Sequence, residues 1–340
     1  VFTVRKDRSA PVGTVTPLWL ESRAVQANLT GEETRRRIDL YLPNGHTGAG
    51  LPLLVDLVGF TAGGPAHTNW KNHGESLPER LDRLIHSGAM PPVAVAFPDC
   101  FTRLGGNQYV DSPVLGAWEQ FLIAEMLPFL EDQFGCGGPG KRGVFGKSSG
   151  GYGAIYHALK HGGSVWSAAA CHSGDMGFEL MYRHEFPAVL RTLGKYGGSI
   201  SAFLEHFHTT LKTRDEDWMT IMLLAQAASF DPDPAAPWGL RLPVDPYTCE
   251  LIPERWANWL AYDPLTLAPK HLANLRALKC LFIDCGDVDQ YNLLYGARRM
   301  HQFLTANAVP HAYQEFPDNH SSIDYRMDVS LPVLAKALVG

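Results

Sequence analysis

The segment Gly146-Lys147-Ser148-Ser149-Gly150-Gly151 comes directly after a strand-like run, residues 142–145, and directly before a helical pattern, residues 152–160. A chain that passes from strand to helix in so few residues must make a sharp turn, and G-x-S-x-G in that context is the pattern of a nucleophile elbow. The glycines have a physical task. A serine held on a strained turn needs neighbours without side chains, so that the chain can pass closely and the hydroxyl can project from the sheet edge. Ser148 is centred between Gly146 and Gly150, and Ser149 is its nearest competitor. A glycine-rich turn carrying an ordinary serine is the plainer alternative. A phosphate-binding loop fits poorly, because the glycine it needs at its start is Lys141 here.

Around this turn, short apolar or β-branched runs alternate with helical patterns, which reads as an α/β chain with a mostly parallel central sheet flanked by helices. The runs at 51–57, 93–97, 141–145, 166–171, 280–285 and 311–316 are expected to carry the sheet. Residues 14–20 and 36–42 suggest an antiparallel pair leading into it, ending at Pro43-Asn44-Gly45. Residues 291–307 and 115–134 have a helical apolar rhythm, the latter with a kink or short break expected at Pro128. About residues 175–263 break the alternation. Helical patterns at 180–196, 200–211 and 217–230, followed by a proline-rich exit, predict a mostly helical cap over one end of the sheet. The domain expectation is therefore a core from 1–174 and 263–340 with a cap at 175–262.

Composition narrows the classes of function. With 45% hydrophobic and 19% charged residues the chain can bury a sizeable core. A formal charge of -6, with Arg35-Arg36-Arg37 as the one short basic cluster, argues against a nucleic-acid partner. No apolar run is long enough for a membrane span, and residues 1–8 lack the layout of a signal peptide. The six scattered cysteines contain no CxxC pair and read as free thiols, favouring a reducing, cytoplasmic setting. A leader removed ahead of Val1 leaves secretion open, and a homo-oligomer is compatible with everything read so far.

A serine hydroxyl needs a base, and in this type of fold an acid and then a histidine follow the nucleophile in the chain. Of the 14 histidines, His301, His311 and His320 lie far enough along. His320 sits on the polar loop Pro317-Asp318-Asn319-His320-Ser321, whereas His301 falls in a helix and His311 at a strand start, where solvent exposure explains them. The acid belongs at the end of the 280–285 strand. Asp284 lies inside that strand, while Asp287 and Asp289 follow Gly286 on the loop, and either could instead cap the next helix. Spacing does not separate those two. A second oxyanion donor is expected from Gly59-Phe60-Thr61, through the N–H of Phe60 and then Thr61, to complement the N–H of Ser149.

These motifs, with Phe97-Pro98-Asp99, Asp263-Pro264, Gly286-Asp287-Val288-Asp289 and Asn319-His320, resemble the esterase D family of α/β-hydrolases. That family includes S-formylglutathione hydrolases, feruloyl and acetylxylan esterases, and mycolyl transferases. The resemblance covers about residues 38–173 and 262–340. It implies an α/β-hydrolase fold and assigns the acid to Asp289 and the base to His320. It further implies a serine carboxylesterase that forms an acyl-enzyme and acts on a small-molecule ester, without metal or organic cofactor. An acyltransferase using the same three residues and a non-catalytic binding module are the alternatives. The cap has no matching motif. Its Trp218, Met219, Met222, Trp238, Trp256 and Trp259 are candidates for an apolar pocket, and Thr61, Asn107, Gln108 and Tyr109 for its polar contacts.

Overall fold

The computed structural model describes residues 10–339; the reading of residues 1–8 lies outside the described residues. Eight strands form one sheet: β1 (Thr14–Glu21), β2 (Arg35–Leu42), β3 (Leu53–Leu57), β4 (Ala94–Pro98), β5 (Arg142–Lys147), β6 (Ala168–His172), β7 (Cys280–Gly286) and β8 (Ala312–Phe316). Their spatial order is β1-β2-β4-β3-β5-β6-β7-β8. β2 runs antiparallel to β1, from Thr14↔Leu42 to Glu21↔Arg35, and antiparallel to β4. All the other pairings are parallel. β3, β4 and β6 are buried at every position, which is why their sequences read as largely apolar runs rather than alternating ones, with only Asp56 in β3 and His172 at the end of β6 polar.

Outside residues 175–262 the principal helices are α1 (Leu77–His86), α2 (Leu127–Phe134), α3 (Ser149–His161), α8 (Leu293–Ala306) and α9 (Met327–Val339); inside them are α4 (Phe186–Gly194), α5 (Ile200–Thr209), α6 (Asp215–Phe230) and α7 (Pro253–Leu260). Leu77, Leu81 and Leu84 of α1 and Leu331 and Leu334 of α9 cover one face of the sheet around Phe97, Phe145 and Phe282. The other face packs on a larger cluster that includes Ile155 and Leu159 of α3, Met300 and Leu304 of α8 and the buried side of α6. The α/β-hydrolase expectation therefore holds in strand order, direction and layering.

Where elements shift, prolines account for most of it. The stretch before Pro128 does not break; it widens into an i→i−5 segment, Phe121–Met126, and the Leu127 N–H reaches the Leu122 carbonyl. The helix expected over 180–196 is divided, with α4 restarting at Phe186 because Pro187, lacking an N–H, suits a first turn. The proline-rich exit also contains a helix the sequence reading left out, α7, which begins on Pro253. Among the described residues no helix is long and apolar enough to cross a membrane. The six thiols are unpaired, Cys249 and Cys280 half-buried and the rest buried.

The sheet order reverses at β3, whose neighbours are β4 and β5, and open α/β sheets gather ligands beyond the strand ends at such a point. The segments leaving β3 and β5 there are Gly59-Phe60-Thr61 and the Ser148 turn.

Candidate active site

Ser148 stands between β5 and α3 with φ 59 and ψ -125, a backbone conformation costly for a residue with a β-carbon. Two hydrogen bonds hold it: its N–H donates to the His172 carbonyl at 3.0 Å, and its carbonyl accepts from the Tyr152 N–H at 2.8 Å. A β-carbon at either Gly146 or Gly150 would overlap the Leu57 carbonyl, so the close approach of β3 to the turn requires glycine at both positions. Ser148 is also the residue from which α3 starts, and the positive end of the helix dipole faces it.

His320 is buried on the loop after β8, and its Nδ1 lies 2.8 Å from Asp289 Oδ2. The loop is held from both sides. The His320 N–H donates to Gln290 Oε1 at 3.0 Å, and the Tyr291 ring meets the imidazole edge-on at 4.9 Å between centroids and 82°. Asp289 Oδ1 accepts from the Tyr291 N–H at 2.9 Å, which fixes the turn while Oδ2 contacts the imidazole; the next helix takes Asn292, not Asp289, as its N-cap. Asp287 is exposed. Asp284 is committed elsewhere, to His172 Nδ1 at 2.6 Å and Arg326 Nε at 2.9 Å. His301 and His311 are half-buried rather than simply exposed, and bond each other at 2.8 Å.

Ser148 and His320 line one cavity of about 210 Å³ with Gly59, Phe60, Thr61, Lys147, Met181, Trp218, Met219, Met222 and Tyr291. Among the described residues no acceptor takes the N–H of Phe60. That group and the first N–H of α3, from Ser149, are free to meet a developing negative charge. Burial holds the Lys147 ammonium below the usual lysine range, opposed in part by the carboxylates of Asp324 and Asp289. The arrangement can support acyl transfer: a projecting hydroxyl, an imidazole oriented by a carboxylate, and N–H donors around one cavity.

The profile of the family named Esterase matches residues 30–330. This chain belongs to the Esterase family. Solved structures similar to it include a ferulic acid esterase at 19% identity (TM-score 0.62), covering 96% of this chain and 99% of that one. An S-formylglutathione hydrolase of Staphylococcus aureus is 14% identical (TM-score 0.57, covering 96% and 100%). A ferulic acid esterase of the fungus Anaeromyces mucronatus is 14% identical (TM-score 0.55, covering 99% and 96%). At these identities the likeness establishes the fold. A search of curated proteins finds no match.

Several residues expected in the pocket lie elsewhere. Asn107 is buried, with its amide donating to the Cys100 carbonyl at 2.6 Å and its oxygen accepting from the Tyr109 N–H at 2.5 Å. Tyr109 is buried with its hydroxyl on the Val58 carbonyl at 2.6 Å. Tyr109 ties the 101–112 loop to the end of β3, Asn107 holds that loop to Cys100 just after β4, and neither lines the cavity. Trp256 and Trp259 are core: Trp256 packs against Phe186 and donates to Glu179 Oε1 at 2.7 Å, and Trp259 is fully buried. Trp238 stacks near His208 instead. Thr61, Trp218, Met219 and Met222 do line the cavity, and Lys147, Met181 and Tyr291 join them without having been expected. Lys147 and Tyr291 were legible in principle as immediate neighbours of the Ser148 turn and of Asp289. Met181 carries no such signal. Among the described residues no cluster of His, Cys, Asp and Glu is arranged to hold a metal.

Proposed function

We propose that this esterase hydrolyses carboxylic esters through an acyl-enzyme on Ser148. The observation that carries the reading is the shared cavity: a serine in a strained strand-to-helix turn and a histidine bonded to a buried aspartate face the same space. Ser148 Oγ attacks the ester carbonyl while His320 Nε2 takes its proton. Asp289 accepts from His320 Nδ1–H, which fixes the tautomer and supports the imidazolium as it forms. The N–H groups of Phe60 and Ser149 hold the oxyanion, the protonated histidine gives its proton to the leaving alcohol, and water then releases the acid by the same steps in reverse order. Residues 175–262 act as a cap in this reading, because Met181, Trp218, Met219 and Met222 come from them.

The names of the similar structures supply the first substrates to try. Initial rates on p-nitrophenyl esters of increasing acyl length, a feruloyl ester and S-formylglutathione are to be measured with Ser148→Ala in parallel. Loss of about 10⁴-fold or more in the variant is the expected result. Ester turnover that survives Ser148→Ala contradicts the reading.

A further inference from the structure

Beside the cavity lies a buried polar cluster that the reaction does not use. Tyr182 is its centre: the hydroxyl donates to Asp175 Oδ2 at 2.7 Å and accepts from the side-chain amides of Gln108 and Gln226, each at 3.2 Å. The Gln108 amide also reaches Asp175 Oδ2 at 3.1 Å. Gln108, Asp175 and Gln226 are 2%, 0% and 0% exposed. Even so, Asp175 Oδ1, Gln108 Oε1 and Gln226 Oε1 have no hydrogen-bond partner among the described residues. All three orphans are acceptors. Buried polar atoms left unmatched are costly, and what this group lacks is a donor.

The cluster adjoins the place where substrate binds. Tyr182 follows Met181, and Gln226 lies one turn beyond Met222 on α6; both methionines line the cavity at Ser148. Asp175 also feels the charges of His320 and Asp289. Met181 and Met222, whose flexible thioethers repack at little cost, are the cavity-lining residues next to this cluster along the chain.

We propose that Gln108, Asp175 and Gln226 form a donor-recognising end of the acyl pocket, selecting esters whose acyl group carries a hydroxyl or an ammonium beyond an apolar spacer. The acyl group is the relevant arm because it stays on Ser148 after the alcohol has left, so the inference rests on the ester-hydrolase reading. A donor from the substrate satisfies oxygens that otherwise stay unmatched, and an acyl group without one leaves them so. A site built on buried hydrogen bonds discriminates strongly against the analogue lacking the partner. Burial pushes the Asp175 carboxyl up to about 6, with the Tyr182 and Gln108 hydrogen bonds holding it down, so near neutral pH it is largely an acceptor.

The test compares kcat/KM for p-nitrophenyl alkanoates of several lengths with that for their ω-hydroxy and ω-amino counterparts, in the wild type, Asp175→Asn and Gln226→Met. The expected result is a preference of about tenfold or more for one donor-bearing series in the wild type. The hydroxy and amino arms tell which donor is taken. Asp175→Asn places an internal N–H donor in the cluster and Gln226→Met removes an orphan acceptor. Both are therefore expected to bring the ratio towards one while melting no earlier than the wild type, which separates lost recognition from lost folding. A wild-type ratio near one at every length, or a preference untouched by both variants, overturns the proposal. If the plain alkanoates are hydrolysed in a Ser148-dependent way while the ratio is flat, this inference alone fails. If no ester is hydrolysed, the reading of Ser148 fails with it.

Discussion

At Ser148 the strain and its support are both local. The positive φ is held by one hydrogen bond from the Ser148 N–H to β6 and one to its carbonyl from α3, and it is possible because Gly146 and Gly150 let β3 pass against the turn. Gly150→Ala pushes a methyl group into the Leu57 carbonyl, and a loss of about 3 kcal/mol is expected, read as an earlier midpoint in urea unfolding. Asp289→Asn keeps the size of the side chain but favours the wrong tautomer of His320. A fall in kcat of about 10³-fold or more is expected, with the melting temperature little changed. If Asp287→Asn proves the more damaging of the two, the assignment is reversed. From the sequence the glycines and the serine were legible, because their spacing is itself the constraint. Spacing did not separate Asp287 from Asp289, because both sit on one short loop; the resemblance chose Asp289, and the loop's closure on Tyr291 and Gln290 puts it against His320.

Among the elements, β6 does more than fill the sheet. His172 at its end accepts the Ser148 N–H through its carbonyl, while its ring bonds Asp284 of β7 through Nδ1 at 2.6 Å and Ser330 of α9 through Nε2 at 2.8 Å. Asp284 in turn receives Arg326 Nε at 2.9 Å. This buried line has the residue types of a hydrolytic triad but no solvent access, since Ser330 and Asp284 are 0% exposed. Its effect is to tie two strands and the last helix behind the turn. Ser330→Ala leaves His172 Nε2 without its partner, and a loss of about 1–3 kcal/mol is expected by chemical unfolding. No change on unfolding would mean that the His172–Ser330 hydrogen bond contributes nothing to stability. The inner parallel strands β3, β4 and β6 were readable as largely apolar runs because both their faces are covered, whereas β8 at the sheet edge is partly exposed. The breaks and restarts of helices at Pro187 and Pro253 were not, since a proline marks a helix start as well as its end.

Taken as a molecule, the chain brings Ser148, His320 and the Phe60 segment to the cavity from the ends of the sheet strands, and much of the cavity wall from residues 175–262. In the proposed reading these residues set the space available for substrate. Met222→Trp is expected to shorten the acyl length accepted, lowering kcat/KM for longer p-nitrophenyl esters by about tenfold or more relative to the acetate. An unchanged length profile would place the acyl group elsewhere. Which aromatic residues face the cavity was hidden in the sequence. Trp218 and Trp256 are the same residue type on neighbouring helices, and only the packing of α4, α6 and α7 puts one at the cavity and the other in the core. Asn107 and Tyr109 misled for a related reason: polar side chains on a loop beside the site are as readily used to hold that loop as to meet a ligand.

The claim on which the rest depends is that an acyl group is carried on Ser148. The direct measurement is intact and peptide mass spectrometry of the protein quenched in acid during turnover of a slowly hydrolysed p-nitrophenyl ester, beside Ser148→Ala. The account predicts an added acyl mass on the peptide containing Ser148, rising with the initial burst of p-nitrophenol and absent from the variant. Turnover with the acyl mass on another residue, or an adduct that forms equally in Ser148→Ala, would contradict it.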